Sequence, residues 1–375
     1  MAGLGDRAFR ELCRSYGAGP LAICPMLSAS ALQHKETRQK TLSLCDWSGE
    51  AHPRAAQLFG SVASELTEAA RVLQDNGIEL VDLNLGCQMP KIVKMGAGAA
   101  LLRQPARALE LVAALRATLT CPLTVKMRLG WAQSDTAEQM VSSLASLGVS
   151  AVAVHARTAV DGFAAPPNWP ALARVCARSP LPIIANGSIA TAAQAAAVWQ
   201  VTQCSGIMLG RQALRTPWIF AELAGVDLPG AGLAGAGLPG AELAGAEVPG
   251  AGLPGAGLAD ATLVRPPAQG HAHNLTADKL AATSLPSGLL ADCLRRHVGL
   301  CRQYELEENT GLDASSRARV LVPNEHEAYE ERVVHRLRRH FTFYRESAWG
   351  QALNEALWHR LMQANTFDEL AQILS

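Results

Sequence analysis

One thiol in this sequence sits where enzymes of the βα class keep their chemistry. The stretch Val81-Asp82-Leu83-Asn84-Leu85-Gly86-Cys87 follows the helix stop Asn76-Gly77 and is rich in branched and apolar residues. It predicts a buried strand over 78–85 with Cys87 just past its C-terminal end. Lys91, Lys94 and the glycines of Gly96-Ala97-Gly98 come next. A free cysteine is most often a small buried hydrophobe, but a post-strand position among cations and glycines favours a working thiol. Other polar groups recur at the same kind of place: Gln57 in a strand, Asn84 beside Cys87, Lys126 and Arg128, His155 and Arg157, Asn186-Gly187-Ser188, and Gly210-Arg211. Two glycine turns with an arginine offer the backbone amides and guanidinium that hold a phosphate monoester. Lys126, on a strand otherwise apolar, needs an anionic partner, either a bound ligand or a neighbouring carboxylate. His155 follows Ala151-Val152-Ala153-Val154 and reads as part of the same rim rather than as an isolated core histidine.

The elements that must carry these residues are short apolar strands near 20–24, 54–59, 78–85, 122–127, 149–154, 181–185 and 205–209. They alternate with amphipathic helices, the pattern of parallel βα units. A helix over 6–16 precedes the first of them. Ser64 starts the helix over 65–75, Pro105 and Asp135 open later ones, and Gly148 ends one. Seven strands with a helix in front predict an α/β fold, a TIM (β/α)8 barrel lacking most of its first strand, over residues 1–224. In such barrels ligands gather at the C-terminal ends of the strands, with phosphate held after the last two. A phosphorylated cofactor is the economical expectation, and a reduced isoalloxazine, negative at N1, would answer the charge of Lys126.

Composition sets broad limits. The chain has 375 residues, 49% of them hydrophobic, and its 33 basic residues balance 33 acidic ones, so a polyanion partner must be met by a local patch. Nine cysteines without a CxxC pair predict a reducing cytoplasm and no metal site. No apolar run is long enough to span a membrane. From Leu228 to Thr262 a five-residue period of the type LPGAG dominates. Its proline and glycine density predicts a low-complexity, disordered linker over 225–288 rather than a pentapeptide solenoid. Residues 289–375 read as a small helical domain, with helices near 289–306, 326–345, 350–362 and 366–374. Residues 332–345 hold Arg332, Arg336, Arg338, Arg339 and Arg345, two histidines and no acid, interleaved with Phe341, Phe343 and Tyr344. A cationic face with aromatics suits nucleic-acid phosphates and stacked bases.

Several segments together resemble the tRNA-dihydrouridine synthases, most closely the bacterial DusB-like branch. They are MAGLGDRAFRELCRSYGAG, QLFG, VDLNLGC with GAGAALL, VKMRLGW, VHART, PIIANGSI, GIMLGRQALRTPWIF and, more loosely, HRLRRHFTFY. The resemblance implies an FMN-dependent, NADPH-driven oxidoreductase that reduces the C5–C6 double bond of uridine in the tRNA D-loop. Cys87 is then the proton donor to C5, and hydride from the flavin reaches C6 on the other face. An ordinary thiol holds its proton at neutral pH and suits that role. It further implies FMN contacts from Met1, Ala2, Gln57, Lys126, His155, Asn186, Gly187, Ser188, Gly210 and Arg211. Asn84, Lys91, Arg128 and Arg157 would line the substrate side, and Arg336, Arg338 and Arg339 would meet tRNA, with the base flipped into the pocket. Met1 aligns with the methionine of the family's first-strand Ala-Pro-Met motif. Gln88 replaces the proline after the cysteine, Cys24-Pro25 replaces Glu-Met, and Ala156 replaces a glycine. The alternatives are a flavin-dependent oxidoreductase of a small molecule, of the dihydroorotate or enoate type, and a catalytically impaired tRNA-binding relative. The expected enzyme is a cytoplasmic monomer with no membrane or metal partner.

Overall fold

A computed structural model describes residues 4–17, 21–45, 47, 50, 52–224, 293–301, 323–345 and 355–374. Within them seven strands form one sheet in chain order: β1 (Leu27–Ser28), β2 (Ala55–Phe59), β3 (Leu80–Leu85), β4 (Leu123–Arg128), β5 (Ala151–His155), β6 (Ile183–Asn186) and β7 (Gly206–Met208). Every neighbouring pair is parallel. Parallel neighbours in sequential order, with helices in the connections, are what repeated right-handed βα crossovers produce. β1 and β7 are the two edges and do not pair with each other, so among the described residues the ring is open between them.

Six of the seven strands form where the hydropathy places them. The expected strand over 20–24 is reduced to a single bridge from Ile23 to Ala55, with Cys24 N–H donating to the Ala55 carbonyl at 3.1 Å. Pro25 has no N–H to continue the ladder, and pairing with β2 resumes only at Leu27. Proline at a sheet's outermost strand is where it is tolerated. The helix after β2 runs Ala63–Asp75 with Val62 at its N-cap and no side-chain capping bond, so Ser64 lies inside the helix rather than at its start.

The pleat divides the strands cleanly. Val81, Leu83, Val125, Met127, Val152, Val154, Ile183 and Ala185 face outward into the main core beneath the surrounding helices. The alternate residues face the interior of the ring, as the two-residue period requires. A second core joins α1 (Arg7–Ser15), residues 213–221 and the C-terminal helices: Phe9, Leu12, Leu214 and Trp218 pack with Leu294, Phe341, Tyr344 and Trp358. The helical part, formed by residues 293–301, Pro323–Arg345, Glu355–Gln363 and Phe367–Leu374, is thereby seated on α1. The expected linker over 225–288 lies outside the described residues.

Candidate functional site

Ladder register decides which polar residues meet. Gln57 pairs with Asp82 and Asp82 with Thr124; Asn84 pairs with Lys126 and Lys126 with Ala153; Arg128 pairs with His155 and His155 with Asn186. Residues opposite each other in a ladder share a face, so these side chains all converge on the interior. Small neighbours, Ala151 and Ala153, leave room there. A cavity of roughly 710 Å³ results, within the usual range for small-molecule and cofactor sites. Gln57, Asn84, Cys87, Lys126, Arg128, His155, Asn186, Gly187, Ser188, Gly210 and Arg211 all line it.

A hydrogen-bond relay fixes the floor. Asp82, buried in the strand, accepts from Thr124 Oγ1 and from Gln57 Nε2, both at 2.7 Å. That leaves Gln57 Oε1 to accept from Asn84 Nδ2 at 2.8 Å, and Asn84 Oδ1 to accept the backbone amides of Gly86 and Cys87. A carboxylate can only accept, so it sets both carboxamide orientations and, through them, the turn that presents the thiol. From the other side, Cys87 O accepts Ala99 N–H at 2.8 Å. Gly98 has φ +61°, and a Cβ there would lie 2.6 Å from Cys87 O, so only glycine fits. Asp82 was not singled out by the sequence, although its alternation with Asn84 on an apolar strand was a visible signal.

Electrostatics in the cavity follow from burial. Burial pushes the Asp82 carboxyl up to about 6, against the pull of Thr124, Gln57 and Lys126. Burial pulls Lys126 down to about 8, with Asp82 opposing. Among the described residues no carboxylate lies within ion-pair distance of Lys126 Nζ, which donates to the Met127 carbonyl at 3.5 Å. His155 is driven down to about 2, first by burial and then by Lys126, Arg128, Arg157 and Arg211, so its ring is neutral. Its Nε2 lies 3.2 Å from Arg157 Nη1; a guanidinium only donates, so the ring proton sits on Nδ1.

The other expected site residues fall differently. Arg128 lines the cavity but spends its donors on the carbonyls of Gly86, Thr158 and Gly162, tying the cysteine turn to the loop after β5. Arg157 is buried away from the cavity wall, bonded to His155, to Ser188 Oγ at 3.0 Å and to the Ala165 carbonyl. Lys91 and Lys94 are exposed on the short helix Pro90–Lys94 and do not line the cavity. Gln88 turns toward the 158–163 loop, where its Oε1 is buried without a hydrogen-bond partner. Met1, Ala2 and the side chain of Arg336 lie outside the described residues. Phe163 was not anticipated: it lines the cavity while 54% exposed, with the Arg211 and Arg128 guanidinium carbons 4.5 and 5.3 Å from its ring centre.

One expectation is corrected outright. Phe341 and Tyr344 are fully buried in the second core, so these two aromatics cannot stack on bases, and Phe343 is half-buried against that core. Of the neighbouring cations, Arg338 donates to the Met362 carbonyl and Arg345 pairs with Glu355, while Arg339 is exposed.

The family model for dihydrouridine synthases matches residues 1–228. The chain belongs to the dihydrouridine synthase family. A probable tRNA-dihydrouridine synthase of Rhodobacter capsulatus is 32% identical over 225 residues, 60% of this chain and 69% of that protein. The tRNA-dihydrouridine synthases B of Xanthomonas axonopodis pv. citri and Vibrio cholerae are each 35% identical, over 225 and 227 residues, covering 60% of this chain and 67% and 69% of theirs. The fold of this family is a TIM barrel, to which the parallel seven-stranded sheet belongs, and every residue of the relay from Asp82 to Cys87 lies inside the matched segment. The helical part, from residue 293 on, lies beyond it.

Proposed function

We propose that the protein reduces uridine in the tRNA D-loop to dihydrouridine, using FMN in the barrel cavity and NADPH as reductant. The observation that carries this reading is the convergence of Cys87, Lys126, Asn186-Gly187-Ser188 and Gly210-Arg211 on one cavity. The residues fit a flavin mononucleotide. Position 210 has open space around a Cβ site, so its backbone can be approached closely, and the exposed Arg211 guanidinium stands beside it for a phosphate. Lys126, with no carboxylate in contact, is a counter-charge for an anionic ring.

When bound, FMN supplies the hydride, drawn from NADPH, that adds to C6 of the base. Cys87 supplies the proton for C5, and its thiolate regains a proton from solvent. Asn84 and the amide of Ala99 hold the cysteine turn, so the donor is pre-positioned rather than searching for its geometry. Neutral His155 offers a hydrogen bond without adding charge. A base inside a stacked helix cannot reach such a cavity and must be flipped out. Exposed Phe163 and the exposed Met89 and Val160 offer it apolar surface near the cysteine turn and the 158–163 loop. Arg339, with Lys91 and Arg336, would meet phosphates. An enzyme of this kind works in the cytoplasm, where tRNA and NADPH are found.

The test is to incubate the full chain with FMN, NADPH and unmodified tRNA transcripts and to measure dihydrouridine by mass spectrometry of the nucleosides. Product in the D-loop supports the reading. A protein that binds no FMN, or that reduces a free small molecule and leaves tRNA unchanged, contradicts it.

A further inference from the structure

Away from the cavity, three side chains from opposite ends of the chain meet in the second core. Asp6 caps α1, spending Oδ1 on the Phe9 amide at 3.0 Å and leaving Oδ2 available. His297, on the helix over 293–301, and His340, on Pro323–Arg345, are both fully buried. One donor atom from each of the three residues lies within 4.8 Å of the other two. Nε2 of His297 and both ring nitrogens of His340 are buried without a hydrogen-bond partner, and Asp6 Oδ2 is 3.8 Å from His340 Nε2. Buried ring nitrogens without a protein partner are costly, and apolar side chains would fill the same volume without that cost. His297 Nδ1 lies 2.9 Å from Tyr344 Oη. With the proton on Nδ1 donated to that hydroxyl, the lone pair is on Nε2, the buried nitrogen without a hydrogen-bond partner; metal-binding histidines commonly spend their other ring N–H on such a neighbour.

We propose that Asp6, His297 and His340 bind a zinc ion that clamps α1 to the C-terminal helices. Two imidazoles and one carboxylate suit zinc better than the hard cations, which prefer oxygen alone. Bonds of about 2.0–2.1 Å in a tetrahedron set ligand atoms roughly 3.3 Å apart, so the cluster closes modestly around the ion. Water takes the fourth position, with Asp6, whose side chain is 18% exposed, on the solvent side. The clamp matters for the cavity, because α1 contributes Phe9, Arg10 and Cys13 to its wall. The expectation of no metal rested on the lack of local cysteine spacing, and ligands this far apart in sequence leave no such signature. The proposal does not depend on the reaction assigned to the cavity.

The competing account is an imidazolium–carboxylate pair between His340 and Asp6. To separate them, the full chain is stripped with chelator, saturated with zinc chloride, desalted and analysed for metal, and its zinc edge is read by X-ray absorption. One zinc per chain, with two imidazoles and only nitrogen and oxygen ligands, is expected. His297→Gln and His340→Gln should each abolish retention. Since either variant could fail to fold, the wild-type measurement stands alone: zinc not retained, or zinc with a sulfur ligand, overturns the proposal.

Discussion

The carboxamide oxygen of Asn84 lies 2.9 Å from the amide nitrogen of Cys87 and 3.0 Å from that of Gly86. A side chain three positions upstream therefore builds the turn that carries the thiol. Asn84→Ala removes the acceptor for two amides, a loss of about 1–3 kcal/mol by the usual cost of unmet donors. Dihydrouridine formation should fall on the order of 10²-fold, as misplacement of a reacting group does, while flavin content is unchanged. Undiminished turnover in this variant would show that the turn does not depend on Asn84.

Gly98→Ala tests the same turn from the other side. The new Cβ meets Cys87 O at 2.6 Å and Cys87 Cβ at 3.2 Å, on a backbone with φ +61°. The variant should lose about 1–3 kcal/mol in denaturant unfolding and show a larger proportional loss in product formation than in flavin binding. Equal losses in both would mean that the strain spreads through the barrel instead of falling on the cysteine.

Lys126 gives a pH dependence of known sign. Burial pulls its ammonium down to about 8, and an anionic ligand favours the charged form. Below that pH the charged form is already present; above it, binding must take up a proton. Affinity for reduced FMN, whose ring is anionic, measured anaerobically by its absorbance change on binding, should then fall up to ~10-fold per pH unit above 8. Lys126→Met should bind more weakly and lose the slope. An unchanged slope in the variant would assign it to another group.

His155 should be silent where histidines usually titrate. Its folded value, driven by burial and then by four cations, is about 2, so the ring is neutral from pH 5 to 8. Nitrogen NMR should report a constant Nδ1–H tautomer across that range. Unfolded histidine takes up a proton below about pH 6.5, so stability contributed by neutral His155 is present above that value and declines as pH falls below it. A ring titrating near neutrality would remove the basis for its uncharged role.

Most of the barrel was legible because each strand is an apolar run ending in a polar group, and the parallel ladder turns those endings into one cavity. The exception at 20–24 came from Pro25, whose missing N–H interrupts pairing. The substrate side of Arg128 and Arg157 is what the family resemblance implies; that backbone carbonyls also take much of their donor capacity is visible only in the three-dimensional contacts. The aromatics at 341 and 344 were misread although the sequence held the answer. Val334, Leu337, Phe341 and Tyr344 recur at helical spacing and form a buried stripe.

The central claim is that Cys87 protonates a base beside FMN in this cavity. Cys87→Ala measures it most directly, by comparing flavin content, NADPH consumption with oxygen as acceptor, and dihydrouridine yield on unmodified tRNA. The account predicts wild-type flavin and oxygen-dependent NADPH consumption with dihydrouridine abolished. Dihydrouridine formed at the wild-type rate by Cys87→Ala would contradict it.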